Sequence, residues 1–338
     1  INQGASDYYY NVFLMKGFPR LYDVDLDGYP ELIVLYEDEP GKLALRIYNV
    51  DNGSFTLSSE YILEGQFQSD YVPMFVIGQI DGDNESEIVI YRVYGQLRIY
   101  ALTLYNISLE YTWDFPEDWC VFSAIIGDAD GDGSPEIIVT VIIPAPYIAN
   151  KVELYIFKAR NGTLEEVTST VVHEARNSIR VYGVSDVDAD GVDEIVLFGD
   201  IDESFDPEWR GGLLAIYRLE STILLREAVY YFVYRSEGFP SWRSPSKMTL
   251  INLDNDSYIE IVILDIGYAG SSDDDAIFIF EKSTDLMKKS QWSLTELGLK
   301  SARASSGISI FLLHNQVCLA YFNGTVCSLN MTEEDVEI

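Results

Sequence analysis

Residues 127–139 read GDADGDGSPEIIV: four acidic residues and three glycines set directly against an apolar run. Asp128, Asp130 and Asp132 occupy every second position. Like charges this close repel, so this spacing needs a counter-charge. The pattern recurs as DVDLDGYPELIVL from Asp23, QIDGDNESEIVIY from Gln79, DVDADGVDEIVLF from Asp186 and NLDNDSYIEIVIL from Asn252. Each copy has acids or amides at positions 1, 3 and 5, Glu at position 9, and then a β-branched run of the buried-strand type. Successive copies begin 56, 49, 58 and 66 residues apart. Repeats of this period mark propellers and solenoids.

Strand signals choose between the two. LRIYAL (97–102), VELYIF (152–157), LLAIYR (213–218) and AIFIFE (276–281) follow the loops. A weaker strand such as ISLEYTW (107–113) comes next, and strands such as MFVIG (74–78) and VFSAIIG (121–127) precede the loops. Four strands per repeat is the content of a propeller blade. The tail adds ISIFLL (308–313), VCLAYF (317–322) and TVCSL (325–329), and YYYNVFLM (8–15) is a spare strand before the first loop. A ring must leave no open edge, so 8–15 is expected to complete the last blade. The expectation is one all-β propeller domain over 1–338, with six blades and seven as the alternative. Only 294–304 reads weakly as helix.

The loops have the chemistry of a cation cage. Carboxylates at positions 1, 3, 5 and 9 and the carbonyl of position 7 form a set of hard oxygens suited to Ca²⁺, and Gly at position 6 permits the bend. The expected ligands are Asp23, Asp25, Asp27, Tyr29 and Glu31; Gln79, Asp81, Asp83, Glu85 and Glu87; Asp128, Asp130, Asp132, Ser134 and Glu136; Asp186, Asp188, Asp190, Val192 and Glu194; Asn252, Asp254, Asp256, Tyr258 and Glu260. The second and fifth loops lack the first carboxylate and the Gly, so they are expected to bind more weakly, and Asp130→Ala to cost more than Asp81→Ala. One Asp-Gly loop could be a simple turn; five in register with Glu at position 9 point to metal. Flanking strands and the missing Glu at position 12 exclude an EF-hand.

These loops resemble the calcium-binding FG-GAP repeats of integrin α-subunit propellers and their microbial relatives, over roughly residues 20 to 265. The Phe-Gly and Gly-Ala-Pro elements are absent, and position 9 is Glu where the integrin pattern has Asp. The resemblance implies that the loops join the first and second strands of each blade on one face, and that ligands meet the opposite face. The long connections expected there are 64–73, 113–120, 143–151, 199–212 and 234–247. They carry Trp113, Trp119, Trp209 and Trp242, with Arg210 and Arg243 adjoining. Loops with Trp beside Arg and Pro are candidate binding surfaces; packing between blades is the plainer use of the same aromatics.

Composition narrows the setting. The net charge is −33, which argues against nucleic acid and anionic membrane surfaces as partners. No apolar run reaches the ~18 residues of a membrane span. No secretory leader is visible at Ile1, so a mature form is the expectation. Asn-X-Ser/Thr sequons begin at Asn52, Asn84, Asn106, Asn161, Asn255, Asn323 and Asn330, where chance gives about two. Asn52, Asn106, Asn161, Asn323 and Asn330 are the expected glycosylation sites of an extracellular or surface protein.

Catalytic motifs are missing: there are two histidines, far apart in the repeat, and no nucleophile elbow, zincin or phosphate loop. The expectation is a calcium-stabilised recognition, adhesion or surface-assembly module, binding a protein, a glycan or its own copies. The alternative is a lectin or a carbohydrate-active enzyme, a polysaccharide lyase or paired-acid glycosidase, on the same scaffold. A two-residue turn at Asn323-Gly324 sets Cys318 opposite Leu329 and diagonal to Cys327, a marginal disulfide, and Cys120 is expected to be a buried thiol.

Overall fold

The computed structural model describes residues 19–337 outside the segments 40–41, 52–53, 64–72, 84, 94, 145–149, 161, 175, 178, 203–209, 235–246, 254–255, 266–275, 284, 294–307, 314–315, 322–325 and 332–335. Among the described residues there is no helix. All sheets are antiparallel and follow chain order.

By internal packing the chain divides into two compact units, 1–127 with 133–173, and 128–132 with 174–338. The first contains three sheets. Sheet one is β1 (Arg20–Tyr22), β2 (Glu31–Glu39), β3 (Lys42–Asp51) and β4 (Ser54–Ile62). Sheet two is β5 (Met74–Gly78), β6 (Ser86–Val93), β7 (Gln96–Leu102) and β8 (Ile107–Asp114). Sheet three is β9 (Cys120–Gly127), β10 (Glu136–Ile143), β11 (Lys151–Arg160) and β12 (Thr163–Glu174). The second strands carry an apolar run because both faces are covered there: Ile33, Val34 and Leu35 on β2, and Ile137 to Val139 on β10, are buried. One core cluster joins Ile33, Leu45 and Ile47 of sheet one to Ile88, Tyr100 and Leu102 of sheet two. Another joins Val89, Leu97 and Ile99 of sheet two to Ile137, Val139 and Phe157 of sheet three.

The second unit contains the other three. Sheet four has a first strand broken into β13 (Arg176–Asn177) and β14 (Arg180–Ser185), both paired with β15 (Glu194–Asp202), then β16 (Arg210–Glu220) and β17 (Ile223–Tyr234). Sheet five is β18 (Lys247–Ile251), β19 (Glu260–Asp265), β20 (Ala276–Lys282) and β21 (Leu286–Ser293). Val196, Phe198 and Ile216 of sheet four pack with Ile261, Phe278 and Phe280 of sheet five. Sheet six is β22 (Ile308–Leu313), β23 (Gln316–Tyr321), β24 (Val326–Met331) and β25 (Val336–Glu337).

The five acidic stretches connect first to second strands, as expected. The strand at 8–15 and the helical reading at 294–304 lie outside the described residues. The fourth strand in sheet six among the described residues is β25, which pairs with Asn330 and Met331. The last hairpin is shifted by one residue from expectation: Cys318 stands opposite Ser328, and Cys327 opposite Leu319. The cysteines thus occupy adjacent rungs of the ladder. Cys120 is a buried thiol outside any disulfide.

One irregularity recurs. Third and fourth strands shift register at Ile47/Tyr48, Ile99/Tyr100, Ile216/Tyr217 and Ile279/Phe280. Each shift leaves one extra fourth-strand residue: Ser58, Glu110, Glu227 or Lys289. Such bulges re-aim side chains.

Candidate metal centre

The loops are braced by their own carboxylates. Asp23 accepts the N–H groups of Asp27 and Gly28 at 3.1 and 2.9 Å, and Asp186 those of Asp190 and Gly191 at 3.0 Å each. Asp128 accepts from Asp132 at 3.1 Å. Position 3 caps position 5, as Asp25 does Asp27 and Asp130 does Asp132, both at 3.2 Å. Position 5 caps position 7: Tyr29 donates to Asp27, Val192 to Asp190 and Tyr258 to Asp256.

The backbone is left-handed at two positions. Position 6 is Gly28, Gly133 or Gly191, with φ of 91°, 85° and 91°, and position 4 is Leu26 (60°), Gly82 (81°), Gly131 (70°) or Ala189 (61°). A Cβ at Gly191 meets nothing within 4 Å, so only the dihedral penalty remains. Gly191→Ala is expected to lower stability by about 1–2 kcal/mol, read by urea denaturation. A neutral result would mean that the loop relaxes to another turn.

Position 9 reaches back across the loop. Glu31, Glu87 and Glu194 accept the N–H of Val24, Ile80 and Val187 at 2.9, 2.6 and 2.9 Å, and Glu260 accepts that of Leu253. Glu87, Glu136, Glu194 and Glu260 are fully buried. The second carboxylate oxygens of Glu87 and Glu194, and Asp188 Oδ1, have no hydrogen-bond partner. A buried bare carboxylate oxygen is costly, and a cation beside it removes the cost. Four groups offer oxygens that lie within 4.8 Å of one another: Asp128, Asp130, Asp132 and Glu136; Asp23, Asp25 and Asp27; Asp81, Glu87 and Glu110; Asp186, Asp188 and Glu194. Oxygens bound to one Ca²⁺ at 2.3–2.6 Å lie at most about 5 Å apart, so the residues fit such an ion.

For three of the expected sites the structure shows other contacts. Gln79 is a brace: its amide nitrogen donates to the carbonyls of Asp83 and Glu85 at 2.8 Å each, and its oxygen accepts from Asp81 and Gly82 at 2.9 and 2.7 Å. It replaces the position-1 carboxylate and occupies the position-7 carbonyl that was expected to face metal. Trp113 and Trp119 pack onto the core: Trp113 lies 4.8 Å from Phe157 between ring centroids, and Trp119 stacks on Phe115 at 6.2 Å. Glu31 stands outside the Asp23 group.

In the fifth loop Asn252 donates to the Asp256 carbonyl, and Asp254 lies outside the described residues. So do Trp209, Trp242, Arg243, Asn52, Asn84, Asn161, Asn255 and Asn323. Arg210 begins β16 opposite Asp202 and Tyr234. Asn106 is exposed, and Asn330 pairs with Glu337 in β24.

Cations of the protein occupy two loops, which the sequence alone did not reveal. Lys282 of β20 binds Asp188, and also Glu227 at 2.8 Å. Arg218, directly across β15–β16 from Glu194, binds Asp190. Lys158 of β11 lies 2.6 Å from Glu136 in a fully enclosed pair.

Burial, then the neighbouring acids, pushes Glu87 up to about 8 and Glu110 and Glu194 up to about 7. Carboxyls raised in the folded state take up protons there before the unfolded chain does. In chelator, stability is therefore expected to rise as the pH falls from about 8.5 to 5.5, with the gain ending near the unfolded carboxylate range. Saturating calcium should flatten this profile. A chelated melting temperature that falls over the same window would contradict it.

No curated protein matches the chain. Residues 128–197, from the first Asp of the third loop into β15, match the family model described as FG-GAP-like repeat. It is to that family that the loop-and-strand unit of this chain is similar.

Proposed function

We propose that the chain is a calcium-stabilised β-propeller of six four-stranded blades, displayed outside the cell, that recognises a protein or glycan partner. The observation that carries this is the recurrence of one acidic loop between the first and second strands of five successive antiparallel sheets. Core clusters shared between neighbouring sheets in each unit fit blade packing, and the FG-GAP-like match fits both fold and metal. Asp, Glu and the carbonyls of positions 7 would hold the ion, which supplies the counter-charge that lets each hairpin close.

Partner binding belongs at the sheet ends away from the acidic loops. The sequons at Asn52, Asn106 and Asn161 fall in third-to-fourth strand connections and those at Asn84 and Asn255 within acidic loops, so glycans would crowd the acidic ends. Trp113 and Trp119 are half-buried against the core, so Trp209, Arg210, Trp242 and Arg243 come first as binding residues. The test is a glycan array beside a pull-down from the native surface, with Trp209→Ala and Trp242→Ala as controls. Capture lost in both variants supports the reading. Depolymerisation of a polysaccharide by the wild-type protein would replace it with an enzyme.

Ring closure gives a separate expectation. β25 pairs only with Asn330 and Met331, which leaves Val326–Leu329 without a fourth strand among the described residues; 8–15 would take that place. Deleting residues 1–15 should then expose an edge and cause aggregation. A deletion that stays monodisperse by light scattering would refute closure by this strand.

A further inference from the structure

We infer that Glu110, the bulge residue of β8, completes a divalent-cation site with Asp81 and Glu87, and that this second loop outranks the fourth, where Lys282 and Arg218 already occupy the carboxylates. The inference rests on the calcium reading above and assigns it to one site. By loop composition the second loop is among the weakest, since it lacks the position-1 acid and the position-6 Gly. Three tertiary features reverse that order.

The first is a ligand from outside the loop. The register shift at Ile99/Tyr100 leaves Glu110 between the pairs Ile99–Tyr111 and Tyr100–Leu109, and its carboxylate oxygen lies within 4.8 Å of those offered by Asp81 and Glu87. The second is a bare acceptor. Glu87 is fully buried, one oxygen accepts from Ile80, and the other has no hydrogen-bond partner. The third is the lack of an internal cation. Ala101 stands opposite Glu87, where the fourth loop has Arg218 opposite Glu194. Among the described residues Asp81, Glu87 and Glu110 form no ion pair. Tyr111, next to Glu110, donates to Asp81 at 3.2 Å and orients it.

The equivalent bulge in the fourth sheet also carries a Glu, but Glu227 binds Lys282 at 2.8 Å, and Lys282 binds Asp188 as well. Lys282 is 7% exposed, so its ammonium is a fixed competitor for any incoming ion. Oxygen ligands and three carboxylates select calcium over softer metals.

The experiment is calcium titration calorimetry on the full chain, with Glu110→Gln and Lys282→Met as variants and near-ultraviolet circular dichroism as the folding check. Glu110→Gln is expected to weaken one calcium site at least tenfold. Lys282→Met is expected to add one bound calcium, or to fold only when calcium is present. Lys282→Arg keeps a cation and should add none. A wild-type isotherm retained in Glu110→Gln overturns the inference while leaving the general calcium reading intact. Unchanged stoichiometry in a folded Lys282→Met protein overturns the ranking. A wild-type chain that binds no calcium overturns both readings.

Discussion

Removal of calcium is expected to lower the melting temperature by about 6 °C. Extracellular calcium modules have dissociation constants of roughly 10⁻⁴–10⁻³ M, and free ion at tenfold that value stabilises each site by about 1.4 kcal/mol. Three carboxylate groups, leaving out the fourth loop with its Lys282 and Arg218, then contribute about 4 kcal/mol, close to the lower end of the ~5–15 kcal/mol of a whole domain. For a chain of 338 residues, the unfolding entropy per residue converts that sum to about 6 °C. Lost compensation among the loop acids adds to it, since the net charge is −33 and the sites concentrate it. Thermal melts in EDTA, followed by calcium back-titration, measure the effect. Superimposable curves would show that the loops are turns held by their own hydrogen bonds.

The largest expected single-residue effect lies at Lys158. Its ammonium and the Glu136 carboxylate are 2.6 Å apart, with side chains 3% and 0% exposed. Breaking such a pair by removing one partner strands a charge in the interior, at about 3–5 kcal/mol. Lys158→Met keeps the volume and removes the charge, so urea unfolding in chelator should show a loss of that size. Calcium should recover part of it, because Glu136 also belongs to the third acidic group and an ion there would neutralise it. Equal losses with and without calcium would mean that Lys158, not metal, is the partner of Glu136 in the native protein.

The loops and strands were legible in the sequence because both are local. Alternate acids with Glu at position 9 read directly as loops between strands one and two, and the β-branched runs behind them read as second strands buried on both faces. Hydrogen bonds such as Glu31 to Val24 and Glu194 to Val187 span seven residues, within the reach of a repeat motif. Position 4 was less legible: Leu26 and Ala189 take left-handed backbone that their identities disfavour, because the cap from the position-1 Asp imposes it.

What occupies the loops was decided by tertiary structure. Glu110 lies 23 residues beyond Glu87 and enters the site only because a bulge breaks the alternation of β8. Lys282 reaches Asp188 across 94 residues of chain. Lys158 meets Glu136 through strand register, one pair beyond Ile137–Phe157. Trp113 looked like a loop aromatic and packs, half-buried, against the core through Phe157, a residue of the next sheet. Local pattern sets backbone geometry and ligand chemistry, since both depend on neighbours in sequence. Whether a carboxylate meets calcium, lysine or nothing depends on which distant strand packs over it, and that is a property of the folded sheets.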